Sequence, residues 1–399
     1  MGSEALVSVL MVNYNHEDTI AKTIKSVLAQ TYTHFQFIII DDGSTDKSCD
    51  IIESFDDQRI ELYKREENEH ICIATNYGFT KVKGEYLARI DSDDIWYPDK
   101  LMRQIQFMRA CPDCNISFTW CDLIDEEDHI INDLERARLH ILEASTLEQK
   151  EWLHKFYFEG NCLPHSTVLL KTDVMRKVGG FRLAYRQLHD FDYWIRIAKH
   201  YKIYVLQERL VAMRRFMNEE KRNINASAVT EENETRVFNE FMDIRAHFFN
   251  DISEGLFVEG FRDDFRCRDS STKEELKCEK AFLLCIPHKG WGGVAPAGLE
   301  QLAILLENNN MRKLLKEKYS FSAKTLYEMT SQHIYCDSLI QNQLSEIERK
   351  EYQMERERKQ FQQDMENCHN LISQYANSTS WKLTKPLRIL GSLVRKKDK

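Results

Sequence analysis

Nowhere in these 399 residues does an apolar run approach the ~20 residues needed to cross a bilayer, so the chain reads as one that does not span a membrane. Positive charge is also short. Fifty-five Lys and Arg against 64 Asp and Glu leave a net charge of −9, which argues against general nucleic-acid binding, because a phosphate-binding protein carries an excess of cations. Eleven cysteines are present but scattered and odd in number. Cys111 and Cys114 form a CxxC, yet no second Cys or His pair follows at zinc-finger spacing and no thioredoxin-like context surrounds them, so they read as free thiols. Met1 to Glu4 run directly into a strand-like stretch with no secretory leader, and a reducing cytosol is the expected compartment. Two phosphate-binding signatures are missing as well: neither GxGxxG nor GxxxxGK[ST] stands at any strand-to-helix turn.

What remains is a globular composition, 42% hydrophobic and 30% charged, with room for two or three domains. Over the first 120 residues short β-type runs alternate with helical periodicity, the pattern of a parallel sheet covered by helices. Strands are expected at Leu6 to Val12, Phe35 to Ile40, Ile60 to Tyr63 and Glu85 to Ile90. Helices are expected from Glu17 to about Gln30 with Asn15 as N-cap, through Ile51 and Ile52, and from Ile71 to Val82.

Ligands of open parallel sheets bind beyond the carboxyl ends of the strands. Three polar clusters stand there: Asn13-Tyr14-Asn15, Asp41-Asp42, and Asp91-Ser92-Asp93-Asp94. They supply carboxylates and amides but no glycine-rich phosphate loop. A divalent cation, Mn²⁺ or Mg²⁺, bridging carboxylates and phosphate oxygens is the alternative means of holding a pyrophosphate, and Asp91, Asp93 and Asp94 suit it. Taken singly, Asp41 to Asp46 also suits a turn and helix cap.

The runs Val7-Ser-Val-Leu-Met-Val-Asn-Tyr-Asn15, Ile40-Asp-Asp-Gly-Ser-Thr-Asp46, and Gly84-Glu-Tyr through Asp91-Ser-Asp-Asp94 to Pro98 resemble the family 2 glycosyltransferases of the GT-A fold. The similarity extends from about residue 5 to about 215. A second block, His165-Ser-Thr-Val-Leu-Leu-Lys, Val178-Gly-Gly-Phe181 and His189-Asp-Phe-Asp-Tyr-Trp-Ile-Arg196, resembles the acceptor half of the same family. The resemblance implies a nucleotide-sugar donor, with a UDP-sugar expected, and a saccharide or lipid-linked acceptor. It further implies inversion at the anomeric carbon and a role in bacterial polysaccharide synthesis. It places Asn13, Asn15, Asp42 and Asn76 near the donor, Asp91 and Asp93 on ribose and metal, and Asp190 as general base, with Asp192 as fallback. Arg214 is a candidate diphosphate contact, with a surface salt bridge as its bland alternative. Four departures stand out: His189 where relatives carry an acid, Asn68-Glu69-His70 where they carry Asn-x-Gly, Ala74-Thr75-Asn76 where they carry Ala-Arg-Asn, and Phe216 where a His is common. Two competing readings are a nucleotidyltransferase, which predicts a basic phosphate loop after the first strand, and a non-catalytic scaffold organising a polysaccharide assembly.

The expected architecture is an α/β GT-A domain, Rossmann-like with a mostly parallel sheet flanked by helices, over 1–228. A helical accessory region follows over 229–336, broken at Gly255, Gly260 and Pro287 to Pro296. The glycine-rich His288 to Gly293 reads as a surface loop. From Ile340 to Tyr375 apolar residues recur at four-three spacing, interrupted by Glu351 and Arg358, which predicts a coiled coil of ~54 Å over 337–376. Self-association is preferred there to a helix folding back on its own domain. The tail, 377–399, is basic and amphipathic: from Trp381 onward it holds seven cations and one acid, which suits an anionic membrane surface as well as a solvated tail. The expected location is therefore cytoplasmic, peripheral at the inner face of the membrane.

Overall fold

The computed structural model describes residues 4–217, 230–287, 296–332 and 338–389. They form two compact units, Met1–Asp337 and Ser338–Lys399. The first is built on an eight-stranded sheet. Its strands are β1 (Val7–Asn13), β2 (Phe35–Asp41), β3 (Ile60–Lys64), β4 (Tyr86–Asp91), β5 (Ile95–Trp96), β6 (Ile116–Ile124), β7 (Leu169–Lys171) and β8 (Tyr204–Arg214). The order is β3-β2-β1-β4-β7-β6-β8-β5. The first four run parallel, β7 is antiparallel to β4 and β6, and β5 is antiparallel to β8.

All seven residues of β2 are buried, as required of a strand covered on both faces. One face packs Val9, Met11, Ile39 and Ile90 against α1 (Ile20–Leu28) and α4 (Lys100–Ala110). The other packs Leu10, Ile38, Ile40 and Leu87 against α3 (His70–Phe79), α6 (Gln149–Phe158) and α8 (His189–Ala198). α2 (Ser48–Glu53), α5 (Arg136–Leu142) and α7 (Thr172–Val178) complete this half. The chain reverses direction across the sheet between β1 and β4, the switch point where open α/β sheets bind ligands. Register brings three strand ends level there: Asn13 pairs with Asp41, and Val12 with Asp91.

Two local expectations change. α1 begins at Ile20 with Thr19 before it, so Asn15 is not its N-cap. Asn15 instead takes a left-handed conformation, φ 55°, and its Oδ1 accepts from the Thr45 amide at 2.8 Å, tying the end of β1 to the loop after β2. Gly43 in that loop has φ +78°, and a Cβ there would lie 2.8 Å from the Glu67 carbonyl carbon, so only glycine fits.

The accessory helices are α9 (Glu231–Ala246), α10 (Glu254–Phe261), α11 (Lys273–Cys285), α12 (Pro296–Glu307), α13 (Asn309–Tyr319) and α14 (Ala323–Gln332). Phe241, Ile244, Phe248, Phe249, Phe257 and Phe261 share one apolar core with α6 and α8, so α9 and α10 are cemented onto the sheet's helical face. Gly255 and Gly260 lie inside α10 rather than breaking it. A Cβ at Gly260 would come 3.2 Å from the Lys150 carbonyl oxygen, so the glycine permits close approach to α6. A separate cluster including Phe282, Leu302, Leu315 and Phe321 holds α11 to α14 together. The loop 288–293 lies outside the described residues.

In the second unit α15 (Ser338–Asn377) is a single 40-residue helix, about 60 Å long at 1.5 Å per residue, followed by α16 (Thr379–Leu383). Its four-three positions Ile347, Met354, Phe361, Met365 and Ile372 are all exposed. Among the described residues no helix is long and apolar enough to cross a membrane. Residues 390–399 of the basic tail lie outside the described residues.

Candidate active site

The site is assembled at the carboxyl edge of β1, β2 and β4. At β1, Asn13 is fully buried; its Nδ2 donates to Asp41 Oδ2 (2.7 Å) and Ser44 Oγ (3.1 Å), and its Oδ1 has no partner. Asp42 is 1% exposed with its Oδ1 also unpartnered, and Arg65 Nε lies 3.5 Å from it. Burial lifts the Asp42 carboxyl above the usual range against the pull of the Arg65 guanidinium. Buried acceptors without donors are rare in a folded protein, and two together mark a place prepared for a ligand's N–H or O–H groups.

The turn after β4 is held from both sides. Thr19 and Thr23 hydroxyls donate to the Ser92 carbonyl, and Thr23 also donates to that of Asp94 at 2.8 Å. From β8, the Arg214 amide donates to Asp94 Oδ1 (2.9 Å) and its Nε to the Asp93 carbonyl (2.9 Å). The rest of the Arg214 guanidinium donates to the Asp125 carbonyl and Asp128 Oδ1, each at 2.5 Å. Arg214 thus braces the acidic turn with every nitrogen engaged. Asp93 is 8% exposed, yet no described residue donates to its carboxylate. Burial and neighbouring carboxylates raise both Asp91 and Asp94, the latter strongly, while Arg89 opposes the rise at Asp91.

Mutual repulsion of this kind is relieved by a cation, and Asp91 and Asp93 offer only hard carboxylate oxygens, the donors that Mg²⁺ and Mn²⁺ prefer. The residues therefore fit a divalent ion. The carboxylates of Asp91, Asp93 and Asp94 do not converge as a threesome; among the described residues only Asp125, Glu127 and His129 bring three ligand atoms within 4.8 Å of one another. They sit on a partly to fully exposed turn whose Asp125 Oδ1 already accepts from the Glu127 and His129 amides, so turn formation accounts for them.

Asp190 opens α8. Its Oδ2 accepts from Asn161 Nδ2 (3.0 Å) and its Oδ1 from the Phe191 amide (2.7 Å). Burial, with a further contribution from the Asp91 charge, pushes its pKa up to about 6, against the two hydrogen bonds and Arg89. A carboxylate titrating there is poised to accept a proton at neutral pH. Asp192 is different: it is 3% exposed and closed into ion pairs with Arg196 (2.8 Å) and Arg182 (3.2 Å). Geometry therefore favours Asp190 over Asp192. His189 donates from Nδ1 to the Arg186 carbonyl (2.9 Å), which leaves Nε2 as a buried acceptor without a partner. Burial and the nearby Arg89 charge push its pKa down to about 4, so the ring is neutral at pH 7.

Arg89 had no role in the reading from sequence. It is 2% exposed, its guanidinium has no hydrogen-bond partner among the described residues, and it stacks 5.2 Å above the Phe181 ring. Nη2 lies 4.0 Å from Asp91 Oδ1, so a fixed positive charge stands behind the acidic turn. A lone Arg inside the apolar run of β4 was its signal. Asn76, by contrast, binds the Phe181 backbone at both ends of its amide, accepting from N (2.7 Å) and donating to O (2.9 Å). It locks the Gly180–Phe181 loop to α3.

The family model for glycosyl transferase family 2 matches residues 8–176. An uncharacterized glycosyltransferase of Methanocaldococcus jannaschii is 30% identical over 214 residues, 52% of this chain and 70% of its own length. The Escherichia coli UDP-Glc:alpha-D-GlcNAc-diphosphoundecaprenol beta-1,3-glucosyltransferase WfaP is 38% identical over 126 residues, 32% of this chain and 49% of that one. Among eight curated relatives the match spans from 39% to 74% of their length, and 64% of a Rickettsia typhi relative 29% identical to this chain. Among solved structures, S. aureus TarS 1–349 in complex with UDP-GlcNAc aligns over 81% of this chain and 89% of that one, with 14% identity and a TM-score of 0.49. This chain belongs to glycosyl transferase family 2.

Proposed function

We propose that the chain transfers a sugar from a UDP-sugar to a hydroxyl of a saccharide or lipid-linked saccharide, with inversion, in the synthesis of a cell-surface polysaccharide. The observation that carries this reading is Asp190. It is a half-buried carboxylate titrating near pH 6, held by Asn161 and the Phe191 amide and close enough to Asp91 for that charge to contribute to its rise. Family membership and the donor and lipid-linked acceptor in the WfaP name support the choice of substrates.

Asp190 takes the proton of the acceptor hydroxyl as that oxygen bonds to the anomeric carbon from the face opposite the diphosphate. The anomeric carbon–phosphate oxygen bond breaks, its electron pair leaves with the nucleoside diphosphate, and one displacement inverts the centre. General-base help of this kind contributes about 10²–10⁴-fold. His189 Nε2 accepts a substrate hydroxyl, and Arg89 keeps a positive charge behind Asp91. Bound at Asp91 and Asp93, Mn²⁺ or Mg²⁺ supplies neutralisation of the leaving diphosphate. Asn13 Oδ1 and Asp42 Oδ1 accept from the nucleoside.

The exposed four-three stripe of α15 supports self-association, and the cationic start of the tail supports contact with an anionic membrane. The test of the central proposal is nucleoside-diphosphate release from UDP-glucose, UDP-GlcNAc and GDP-mannose with Mn²⁺ or Mg²⁺ and saccharide or lipid-linked acceptors. One donor turned over by the wild type, and by neither Asp93→Ala nor Asp190→Asn, sustains it. Absence of both turnover and donor binding overturns it in favour of the scaffold.

A further inference from the structure

The loop entering α8 is tied to the α/β half at its start, where Asn76 binds Phe181 and Cys72 donates to the Tyr185 carbonyl, but its last three amides, 186–188, are held from the accessory region. Glu240, 6% exposed on α9, places its carboxylate against three consecutive amides of that loop: Oε1 accepts from Arg186 N and Oε2 from Gln187 N and Leu188 N, each at 2.8 Å. Those amides immediately precede α8, where an anion is favoured by the unpaired N–H groups and the helix dipole. Neighbouring residues of α9 grip the same stretch. Tyr185 Oη donates to Asp243 Oδ2 at 2.6 Å, and Phe241 stacks on Phe191 at 5.9 Å and 11°. The loop then passes its geometry directly to the site: the Arg186 carbonyl receives the His189 Nδ1 proton, and Asp190 is the next residue.

We infer that Glu240 is a positioning residue for the transfer reaction: the accessory helix α9, through this carboxylate, sets where Asp190 and His189 Nε2 meet the acceptor. The inference rests on the reading of Asp190 as the general base. It gives the helical region after the sheet a defined task, because α9 closes the only anionic clamp among the described residues on amides 186–188. A neutral amide at 240 presents one acceptor and one donor to three donors, so the loop loses at least one bond and meets an N–H facing an N–H. A displacement of ~1 Å at a reacting group costs on the order of 10²-fold in rate.

The experiment uses full-length Glu240→Gln and Glu240→Asp, with Asp190→Asn as reference. UDP binding with Mn²⁺, measured by calorimetry, counts intact donor sites, and turnover of the best donor among UDP-glucose, UDP-GlcNAc and GDP-mannose is expressed per UDP-binding site. The expected result for Glu240→Gln is unchanged UDP stoichiometry, a fall of 10- to 100-fold in turnover per site and a raised acceptor KM. Glu240→Asp, which keeps the charge on a shorter arm, recovers part of the loss. Wild-type turnover per site in Glu240→Gln, with only a lowered melting temperature, reduces the clamp to a structural staple and overturns the inference while leaving Asp190 in place. Full turnover by Asp190→Asn removes the base assignment and this inference with it.

Discussion

The acidic edge of the sheet and the long helix α15 are both rich in charge, and the fold treats them in opposite ways. At the edge, Asp42, Asp93 and Asp94 are buried to 8% exposure or less; Arg65 faces Asp42, and groups of α1 and β8, more than 65 residues away in sequence, hold the turn after β4. On α15, Glu346 and Lys350 meet at 2.6 Å across one helical turn with both side chains about two thirds exposed. Water solvates the second kind of pair whether or not the partner is present. At the first kind it cannot, so those charges depend on tertiary structure, and burial holds the carboxyls of Asp42 and Asp94 above their ordinary range.

Substitutions at the edge and on the helix should therefore separate sharply. Asp190→Asn is expected to lower turnover by about 10²–10⁴-fold in a steady-state assay. The same substitution should raise the melting temperature at pH 7.5. The sign follows from linkage: the folded pKa of Asp190, about 6, lies above its unfolded value, so ionisation disfavours the native state above pH 6 and that penalty vanishes below the unfolded pKa. At pH 4 or below the two proteins should melt together. An unchanged melting temperature at pH 7.5 would remove Asp190 from the class of strained charges and blunt the contrast.

Next in size is Arg214→Met, which strips the Asp93 and Asp125 carbonyls of donors and leaves Asp128 without its buried cation. Asp128 is 31% exposed and keeps Lys22, so the cost comes from the two stranded carbonyls, about 1–3 kcal/mol each, to be read from urea unfolding. A third expectation is the pH profile of wild-type turnover: constant above about pH 6 on its acid side and falling tenfold per unit below it, as Asp190 takes up a proton. A limb at the ordinary carboxylate value would mean that burial does not tune the base. Smallest of all, Lys350→Ala should leave both turnover and melting temperature unchanged, because its Glu346 partner is solvated. A clear loss there would show that the exposed face of α15 is covered in solution.

The acidic edge was legible because parallel strands announce themselves as apolar runs and their polar ends fall, by register, on one line: Asn13, Asp41 and Asp91 are neighbours in the sheet as they are strand ends in the sequence. The expectation of Asn15 as a helix cap failed because a cap and a cross-loop bridge use the same side chain, and only the left-handed φ of 55° distinguishes them. Gly255 and Gly260 read as breaks, yet continue α10, since the packing of α10 against α6 outweighs glycine's weak helix propensity.

By itself, the sequence determined the four parallel strands β1 to β4, the acidic edge, the helix that starts beside Asp190 and the 40-residue helix, because each depends on periodicity or on neighbours a few residues apart; the four later strands, short or antiparallel, were not legible in it. Tertiary structure decided the rest: that Arg214 braces the turn, that Asp192 is closed into ion pairs while Asp190 is not, that Arg89 stands behind Asp91 with no hydrogen-bond partner among the described residues, and that Glu240 holds the loop before α8. The contacts of Arg214 and Glu240 depend on partners that arrive from 52 to 121 residues away, and all four depend on how much water the fold displaces. Local pattern carries no record of either.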